Sequence, residues 1–566
     1  MSKKLVVIGG VAAGAKAAAK ARREHPDWEI VVLEKGEDIS YAGCGLPYFI
    51  GDVIKEREEL VVRTPEYFKD AFNIDVLVHH EATRVDVDKK EVCAKDLVTG
   101  EEKVFPYDKL VIATGASPVK PRVPGIDLPG VFTLRTVSDA EGIRRALLPE
   151  ESPRGMKAVV VGGGMIGIEV AENLKLRGLG VTVVELTDQV LPGFDFEMAR
   201  LVQKHMEEKG VRVLTGEKVE SIEKGEDGKV ATVITSQRRI PCDVVIWATG
   251  VRPDTSLAKG AGIELGPTGA IKVNENMETS VKDVFAVGDC AENVNLITQK
   301  PAWYPMGSTA NKMGRIAALN LEPDRVLGEE GDAKTRPGLK GVLGTTVLKV
   351  FDMNAAKTGL SEAQARAEGF DVETVLVPAN DRAHYYPGFR MIVTKLVADK
   401  KTRRILGAQV VGDGVVDKPI DIIVTAITLG ARVEDLQNLD LAYAPPFSMA
   451  MSSTIVAANV MMNKLTGRVK GIDPVTLKRR LGDKNLQIVD VRTPAEIVLG
   501  TIPGAIHIPL NELSSRCGEL DRSKEQVLVC KVGLRAYLGS LILKNKGFEN
   551  VKILDGGMTV WPYEIE

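Results

Sequence analysis

Two cysteines in this sequence have surroundings that favour thiol chemistry. The first, Cys44, lies between two glycines in the stretch SYAGCGLPY, and Pro47 suits the first turn of a helix. A cysteine just ahead of a helix N-terminus lies near the positive end of the helix dipole, which favours the reactive thiolate. A free cysteine is otherwise usually a small buried side chain. The pattern therefore predicts a reactive thiol at Cys44, with simple packing as the alternative.

The second cysteine, Cys530, follows a predicted apolar strand and opens the loop CKVGLR ahead of a helix. Such a loop can surround a sulfur anion with backbone N–H groups, which lower the thiol pKa and hold a persulfide. Arg535 either adds positive charge or fixes the loop, and a buried inert thiol is the alternative. The loop residues expected around the sulfur are Lys531, Val532, Gly533, Leu534 and Arg535.

A glycine-rich turn near the start of the chain predicts a dinucleotide site. A predicted strand over residues 5–8 leads into GGVAAG, an alanine-rich helix to about Glu24, and a second strand that ends in Glu34. The turn lets a pyrophosphate reach backbone N–H groups at a helix N-terminus, and the acid suits ribose hydroxyls. A turn that only packs a helix on a strand is the alternative.

The same pattern occurs again further along the chain. A predicted strand over residues 158–161 leads into GGGMIG, which fits G-x-G-x-x-G, and the next strand ends in Glu185. Each half also has an Ala-Thr-Gly strand end, at residues 113–115 and 248–250. We interpret this as an internal duplication, with the second Rossmann-like unit inserted into the first. Glu185 repels a 2′-phosphate, so NADH is predicted in preference to NADPH.

Up to about residue 460 the chain resembles the FAD-dependent pyridine nucleotide–disulfide oxidoreductases. This family carries FAD on its first Rossmann unit and NAD(P)H on its second, and residues 284–289, VFAVGD, look like its second FAD motif. The resemblance implies FAD contacts at Gly9, Gly10, Ala12, Ala13, Gly14, Glu34, Lys35, Thr114, Gly115, Gly288 and Asp289. It implies NADH contacts at Gly162, Gly164, Met165, Ile166, Gly167, Glu185 and Gly250.

The number of cysteines at the first site indicates a branch of that family. Many members carry two cysteines four residues apart, whereas this chain has only Cys44. It therefore resembles the single-cysteine branch of coenzyme A disulfide reductases, NADH-dependent persulfide reductases, NADH oxidases and NADH peroxidases. The stretch around Cys44 looks most like the coenzyme A members.

Two aromatic loops, HYYPG and LAYAPP, stand in the third domain. Taken alone they predict loop aromatics packed on a core. In coenzyme A disulfide reductases two tyrosines from these motifs are supplied by the partner subunit near the redox cysteine, where a phenol can protonate a leaving thiolate. The resemblance implies this role for Tyr385 and Tyr443, with Tyr386 as the alternative to Tyr385, and it implies a homodimer.

A basic helix face is the candidate for binding the acidic end of coenzyme A. Lys16, Lys20 and Arg23 are spaced i, i+4 and i+7, and a solvated basic face is the alternative. The resemblance implies that this face and Ser40 contact coenzyme A, and Arg63 could add charge.

Two departures from the coenzyme A pattern leave a broader range of thiols open. The family's usual asparagine before the cysteine is Gly43 here, and a coenzyme A-binding lysine is replaced by Met451.

Residues 472–566 resemble a single rhodanese domain. Four separated motifs agree in order: a strand ending in DVR, the segment IPGAIHIPL, the CKVGLR loop and LDGGM. Asp490 and Arg492 are expected to shape the fold rather than to react. Thr501 stands where many relatives carry histidine, with little expected consequence.

Composition narrows the class of protein. A chain of 566 residues exceeds one core, and a net charge of −3 with an ordinary composition indicates neither a nucleic-acid-binding nor a disordered protein. The apolar runs are too short to span a bilayer. The six cysteines show neither a disulfide framework nor metal-binding spacing, which fits the reducing cytoplasm and predicts no metal.

The predicted fold class is α/β, with two Rossmann-like FAD and NAD(P) domains, an α+β dimerisation domain and a C-terminal α/β rhodanese domain. The expected boundaries are 1–150 with 251–326 for the FAD domain, 151–250 for the NAD(H) domain, 327–460 for the dimerisation domain and 472–566 for the rhodanese domain.

The leading functional hypothesis is an FAD enzyme in which NADH reduces coenzyme A persulfide, polysulfide and disulfide through Cys44, while Cys530 carries sulfane sulfur. Its partners would be small thiols and persulfides, with coenzyme A as substrate or bound thiol. One alternative is an NADH oxidase or peroxidase that forms a sulfenic acid on Cys44. Another is a redox-sensing scaffold whose rhodanese domain only binds partners or delivers sulfur.

Overall fold

The computed structural model describes residues 2–147, 155–322 and 337–566. The chain divides into two compact units, one of residues 1–186 with 216–344 and one of residues 187–215 with 345–566. The predicted domain boundaries at 150/151 and 326/327 lie outside the described residues. The mixed α/β class that the sequence predicts is confirmed.

The first unit contains a parallel sheet built around the first glycine-rich turn. Its strand order is Val284–Ala286, Lys109–Ile112, Lys4–Ile8, Glu29–Leu33 and Asp75–Leu77. The strand Val284–Ala286 pairs in parallel with Lys109–Ile112, so the chain returns to this sheet after the second glycine-rich unit. The predicted insertion of one Rossmann-like unit into the other is therefore present.

A second parallel sheet is built around the second glycine-rich turn. In order it contains the strands Gly180–Val184, Lys157–Val161, Val244–Trp247 and Val131–Phe132. The short strand Val131–Phe132 thus joins the second sheet, although the sequence places it in the first domain. Its two pairs with Val245 and Ile246 are too few to leave a recognisable pattern in the sequence.

Each glycine-rich turn brings a helix into close contact with its strand. A Cβ at Gly14 would lie 1.9 Å from the Gly9 carbonyl oxygen, and a Cβ at Gly167 would lie 2.0 Å from the Gly162 oxygen. Only glycine allows this approach, so the two turns are equivalent in three dimensions. The helices that begin at these turns are Ala13–Glu24 and Met165–Leu176.

Smaller elements complete the first unit. One three-stranded antiparallel sheet contains His80–Asp86, Glu91–Asp96 and Glu102–Pro106, and another contains Val219–Lys224, Val230–Thr235 and Arg239–Pro241. Two antiparallel pairs are formed by Ala116–Pro118 with Val251–Pro253 and by Asn293–Val294 with Pro301–Ala302. The other α-helices are Leu46–Ile50, Arg57–Leu60, Pro65–Phe72, Val137–Ala146, Ser256–Gly260 and Gly307–Asn320.

The second unit contains an antiparallel sheet with helices, as an α+β domain should. The strand order is Thr346–Val350, Met353–Gly359, Ile405–Gly412, Met391–Asp399 and Val372–Asn380. Its helices are Glu362–Ala367, Asp417–Thr428, Val433–Gln437 and Ser453–Leu465. The helix Phe196–Glu208 and the strand Arg212–Leu214 belong to the same unit. Because the last helix continues past residue 460, the connection to the next domain is shorter than the sequence suggests.

The same unit ends in a parallel sheet with the order Gly471–Ile472, Val551–Leu554, Glu525–Val529, Leu486–Asp490 and Ile506–His507. The surrounding helices are Pro474–Arg479, Pro494–Ile497, Leu513–Arg516 and Leu534–Asn545. The central strand Glu525–Val529 is buried along its whole length, as expected for a parallel sheet covered on both faces.

Bilayer-spanning helices are absent from the parts of the chain that the structure describes, because none of them is both long enough and apolar enough.

Candidate active site

Cys44 lies in a short turn of 3₁₀ helix, Gly43–Gly45, directly ahead of the helix Leu46–Ile50. The cysteine is exposed and free, whereas Leu46 and Pro47 behind it are buried. The Ala42 N–H donates to the Leu60 carbonyl oxygen at 2.8 Å and so anchors the turn. The thiol is therefore presented at the surface by a fixed piece of backbone.

The sequence predicts that the helix dipole lowers the pKa of Cys44, and this prediction is wrong. Partial desolvation raises the pKa of Cys44, the charges of Glu169 and Asp289 raise it further, and Arg135 only partly opposes them. The helix that follows has five residues, so few peptide dipoles add at its N-terminus. Desolvation and the neighbouring carboxylates outweigh that small contribution.

Glu169 is the residue of this site that the sequence reasoning missed. It lies on the helix Met165–Leu176 of the second glycine-rich unit, and its carboxylate hydrogen-bonds the Tyr48 hydroxyl. Desolvation, with Glu172 nearby, raises the pKa of Glu169 to about 7. The only signal in the sequence was its place at the end of GGGMIGIE, two residues after the glycine motif.

Further contacts hold the cysteine segment against the second glycine-rich unit. The Arg177 guanidinium donates to the Ile50 carbonyl oxygen at 3.2 Å, and a Cβ at Gly51 would lie 2.1 Å from Asn173 Oδ1. Cys44 therefore lies where the two Rossmann-like units meet within the first compact unit.

Replacing Glu169 with glutamine should increase the reactivity of Cys44 only at higher pH. Wild-type Glu169 is neutral below its pKa of about 7 and charged above it, and its charge raises the Cys44 pKa. We expect iodoacetamide to alkylate Cys44 several-fold faster in Glu169→Gln at pH 8 and equally fast at pH 5.5, because the thiolate is the reactive form.

The matched control is Glu141→Gln, since Glu141 pairs with Arg57 at 3.1 Å instead of acting on the cysteine. A ratio of variant to wild-type rates that stays constant from pH 5.5 to pH 8 would contradict the assigned role of Glu169.

The two glycine-rich turns fit a bound dinucleotide. Glu34 Oε2 accepts from the Gly10 N–H at 2.8 Å, and Glu185 Oε2 accepts from the Gly163 N–H at 2.6 Å. Neither following helix has a side-chain cap or an acidic residue in its first turn among the described residues. Both helices thus present N–H groups that a pyrophosphate can use, and space is open beside Gly164.

The remaining residues that the family resemblance implies for the nucleotides surround these turns. Thr114 Oγ1 donates to the Asp254 carbonyl oxygen at 2.6 Å. Asp289 lies in a 3₁₀ turn and pairs with Arg135 at 2.9 Å. Gly9, Ala12, Ala13 and Gly14 form the first turn, Gly162, Met165, Ile166 and Gly167 the second, and Lys35, Gly115, Gly250 and Gly288 lie at nearby strand ends or turns.

The candidate coenzyme A residues fall into two groups. On the helix Ala13–Glu24, Lys20 forms an ion pair with Glu24, which balances its positive charge locally, whereas Arg23 is exposed. Ser40 is held beside the start of this helix, since its N–H donates to the Gly10 carbonyl oxygen at 3.0 Å.

Arg63 lies beside Ser40 because the Val62 N–H donates to the Ser40 carbonyl oxygen at 3.0 Å. The Arg63 guanidinium stacks 4.7 Å from the centre of the Tyr67 ring. Lys16 lies in the first turn of the helix and is half-buried, Gly43 is exposed, and Met451 is 48% exposed.

In the second compact unit, the two predicted tyrosines lie together. The hydroxyl oxygens of Tyr385 and Tyr443 are 3.3 Å apart, although 57 residues separate the two positions in the chain. The Ala383 N–H, donating to the Pro445 carbonyl oxygen at 3.4 Å, joins their loops. Tyr385 is 65% exposed and Tyr443 50%, and the hydrogen bond raises the pKa of Tyr385. Such exposure excludes the alternative in which these rings pack on a core.

The Cys530 loop forms the predicted cradle. Cys530 is fully buried, and its Sγ accepts from the Gly533 N–H at 3.1 Å and from the Ala536 N–H at 3.4 Å. Gly533 has a φ of +104°, which turns the loop back over the sulfur. Lys531 and Leu534 are exposed and Val532 is half-buried at its rim.

Arg535 fixes this loop rather than adding free charge. Its guanidinium makes two 2.6 Å bonds to the Glu496 carboxylate and lowers the pKa of Glu496 to about 2. Behind the loop, Arg492 and Asp490 form a buried ion pair of 2.7 Å. Thr501 Oγ1 donates to Asp490 Oδ2 at 2.7 Å, so this threonine supports the same carboxylate.

Comparison with protein families finds three matches along the chain. Residues 3–307 match the pyridine nucleotide-disulphide oxidoreductase family. Residues 345–455 match the dimerisation domain of that family, and residues 473–563 match the rhodanese-like domain.

One curated relative covers about four fifths of the chain, and two solved structures cover nearly all of it. The NAD(P)H sulfur oxidoreductase (CoA-dependent) of Pyrococcus furiosus is 40% identical over 81% of this chain and 99% of its own length. The NAD-dependent persulfide reductase from A. fulgidus is 44% identical, with a TM-score of 0.90 over 99% of this chain and 100% of that one. CoADR-RHD from Bacillus anthracis is 38% identical, with a TM-score of 0.92 over 99% and 98% of the two chains.

The matched families and the relatives agree with the mixed α/β fold described above. This chain belongs to the pyridine nucleotide-disulphide oxidoreductases and carries a rhodanese-like domain after its dimerisation domain.

Proposed function

We propose that this enzyme uses NADH to reduce coenzyme A persulfide, polysulfide and coenzyme A disulfide through one redox cysteine, Cys44. The observation that carries the proposal is the position of Cys44. It is an exposed thiol where the two Rossmann-like units meet, and Glu169, on the helix after the second glycine-rich turn, acts on it. The names of the relatives, which include a CoA-dependent sulfur oxidoreductase and a persulfide reductase, support the choice of substrate.

The first turn, with Glu34, would hold FAD, and the second, with Glu185, would hold NADH. The fixed Glu185 carboxylate lies at the strand end that faces a ribose in such folds, and its negative charge disfavours the 2′-phosphate of NADPH. When bound, FAD and NADH would supply the two electrons that return the sulfur of Cys44 to its thiolate and release the second product. The net reaction is RSSH + NADH + H⁺ → RSH + H₂S + NAD⁺.

The chain's own residues would perform the sulfur chemistry. Cys44 attacks a substrate sulfur and forms a mixed disulfide or a persulfide. Its raised pKa makes the thiolate a minor form at neutral pH but a stronger nucleophile. Glu169, about half-protonated near pH 7, is suited to take up or give a proton beside the reacting sulfur, while its carboxylate holds the Tyr48 hydroxyl.

The coenzyme A end of the substrate would lie on Lys16, Arg23, Ser40 and Arg63. Arg23 is exposed, and Arg63 is held in place over Tyr67, so both can meet phosphate oxygens. Lys20 would contribute less while it is paired with Glu24. Gly43 and Met451 give no charge of their own, which is consistent with a site that accepts thiols beyond coenzyme A.

A homodimer would bring the tyrosine pair of one subunit to Cys44 of the other. The matched dimerisation domain supports this assembly, as do the exposed rings of Tyr385 and Tyr443 and of their neighbours Phe389 and Phe447. Two phenols 3.3 Å apart can pass one proton between them and stabilise a leaving thiolate. We place the enzyme in the cytoplasm, where its six free cysteines would stay reduced.

Removing one phenolic hydroxyl should slow the reduction of coenzyme A disulfide and leave the fold intact. We expect Tyr385→Phe and Tyr443→Phe each to lower kcat for coenzyme A disulfide about tenfold, since each loses part of an acid catalyst. Steady-state NADH oxidation under nitrogen measures this. The matched control is the neighbouring Tyr386→Phe, which should stay within about twofold of wild type. A large loss in Tyr386→Phe alone would move the role to that residue.

The rhodanese-like domain would carry sulfane sulfur as a persulfide on Cys530. The N–H groups of Gly533 and Ala536 already point at its sulfur and would stabilise the persulfide anion. Transfer from an organic persulfide needs no net oxidation or reduction, because RSSH and the Cys530 thiol become RSH and a Cys530 persulfide.

The proposal is tested by comparing acceptors of the electrons from NADH. We expect rapid anaerobic oxidation of NADH with coenzyme A persulfide or disulfide and slow oxidation with oxygen alone. If oxygen consumption matches NADH loss while both sulfur substrates are inert, the enzyme is an oxidase or peroxidase. If the purified protein holds no flavin, the scaffold alternative gains support.

A further inference from the structure

A buried ion pair joins the rhodanese-like domain to the dimerisation domain inside the second compact unit. Lys464, at the end of the helix Ser453–Leu465, lies 2.7 Å from Asp555 Oδ2, and both side chains are buried. The same ammonium donates to the Thr374 carbonyl oxygen at 2.7 Å and reaches Glu373 Oε1 at 3.3 Å. Thr374 and Glu373 belong to a strand of the dimerisation domain, so one lysine binds both domains.

Asp555 leads directly into the turn that supports the Cys530 loop. Two residues further on, a Cβ at Gly557 would lie 2.2 Å from the Cys530 carbonyl oxygen. The Met558 N–H donates to that oxygen at 2.9 Å, and the Thr559 N–H donates to the Lys531 carbonyl oxygen at 3.1 Å. A shift of Asp555 therefore moves the backbone on which the cysteine loop rests.

The ion pair leaves no spare room around itself. A Cβ at Gly471 would lie 2.5 Å from Lys464 Cε and 2.5 Å from Asp555 Oδ1, so the connecting segment needs glycine there. The rhodanese-like domain is also held at its far end, where the Tyr563 ring stacks on Phe196 with centroids 6.3 Å apart. These contacts dock the domain firmly on the rest of the unit.

We infer that Lys464 is a positioning residue for Cys530 and holds the sulfur-carrying loop in its active geometry from outside the rhodanese-like domain. The inference rests on the proposed role of Cys530 as sulfur carrier. Without the ammonium, the buried Asp555 carboxylate has lost its cation and must take a proton or move toward water. Either change disturbs the turn at residues 556–559 and loosens the N–H cradle around the sulfur.

The test is Lys464→Met in the full-length, flavin-loaded enzyme. We expect transfer of sulfur from an organic persulfide to cyanide to fall about tenfold, because two N–H groups no longer surround the sulfur. The rate at which iodoacetamide alkylates Cys530 at pH 7 should change several-fold, because the loosened loop alters access to a thiol that is fully buried. Reduction of coenzyme A disulfide at Cys44 should stay within about twofold of wild type.

A second variant separates positioning from mere stability. In Lys464→Met with Asp555→Asn the buried charge is gone, so the melting temperature should recover while sulfur transfer stays low. Lys357→Met is the matched control, because Lys357 is a half-buried lysine of the same unit that donates to the Gly193 carbonyl oxygen at 2.9 Å. It should leave the reactivity of Cys530 unchanged.

Three results would overturn the inference: wild-type alkylation and transfer in Lys464→Met, equal effects in Lys357→Met, or full recovery of transfer in the double variant. If wild-type enzyme transfers no sulfur at all, the carrier role of Cys530 fails. The alkylation rates then still decide whether Lys464 positions the loop.

Discussion

Replacing Cys44 with serine should abolish NADH-dependent reduction of coenzyme A persulfide and coenzyme A disulfide. We expect kcat to fall by at least about a thousandfold, because a serine hydroxyl neither attacks a sulfur–sulfur bond nor leaves as a thiolate would. Anaerobic NADH oxidation followed by absorbance gives the rate. Flavin content measured on the same sample shows that the nucleotide sites remain intact.

The matched control is Cys93→Ser, since Cys93 is a half-buried free cysteine on an antiparallel strand of the same unit. Its activity should equal that of wild type. Substantial turnover in Cys44→Ser would show that the two electrons reach the substrate without this thiol, and the proposed chemistry would then be wrong.

Replacing Cys530 with serine should separate the two activities of the chain. We expect sulfur transfer from an organic persulfide to cyanide to fall to background, since only a thiolate in the N–H cradle can accept the sulfane sulfur. Reduction of coenzyme A disulfide should stay close to wild type, because that reaction is assigned to Cys44.

Cys517→Ala is the control for the rhodanese-like domain, as Cys517 is buried in the same hydrophobic core but lies outside the loop. It should keep sulfur transfer even if it lowers the melting temperature. A loss of coenzyme A disulfide reduction in Cys530→Ser would mean that the two cysteines act in one obligatory sequence.

The sequence allowed the backbone of both sites to be predicted. Gly9 and Gly162 each begin a turn whose spacing demands a close helix and strand, and both turns are formed as expected. The loop after Cys530 could be predicted for the same reason, since a strand end, a glycine and a helix start leave few arrangements of the N–H groups. Local chain geometry was enough in these places.

Contacts between segments far apart in the chain could not be predicted from the sequence. Glu169 acts on Cys44 only because the two Rossmann-like units meet there, and no pattern around either residue signals the pairing. The expected thiolate at Cys44 followed from its helix alone. It failed because desolvation in the folded chain, together with the charges of Glu169 and Asp289, raises the pKa of Cys44. The ion pair of Lys464 and Asp555 could not be predicted either, because 90 residues lie between them in the chain.

The position of Arg535 could be predicted from the sequence, but its role could not. The loop motif placed its guanidinium beside the cysteine but left two roles open. Its partner Glu496 comes from a separate helix, and the double hydrogen bond decides in favour of fixing the loop. Tyr385 and Tyr443 are the exception, because their pairing could be expected from the family resemblance and their hydroxyls do meet.

Persulfide reduction through Cys44 is best measured as the sulfide released per NADH oxidised, under nitrogen, with coenzyme A persulfide and the wild-type enzyme. We predict one sulfide for each NADH, as the net reaction requires. NADH oxidation that releases no sulfide and begins only when oxygen is admitted would contradict persulfide reduction and assign Cys44 to oxidase chemistry.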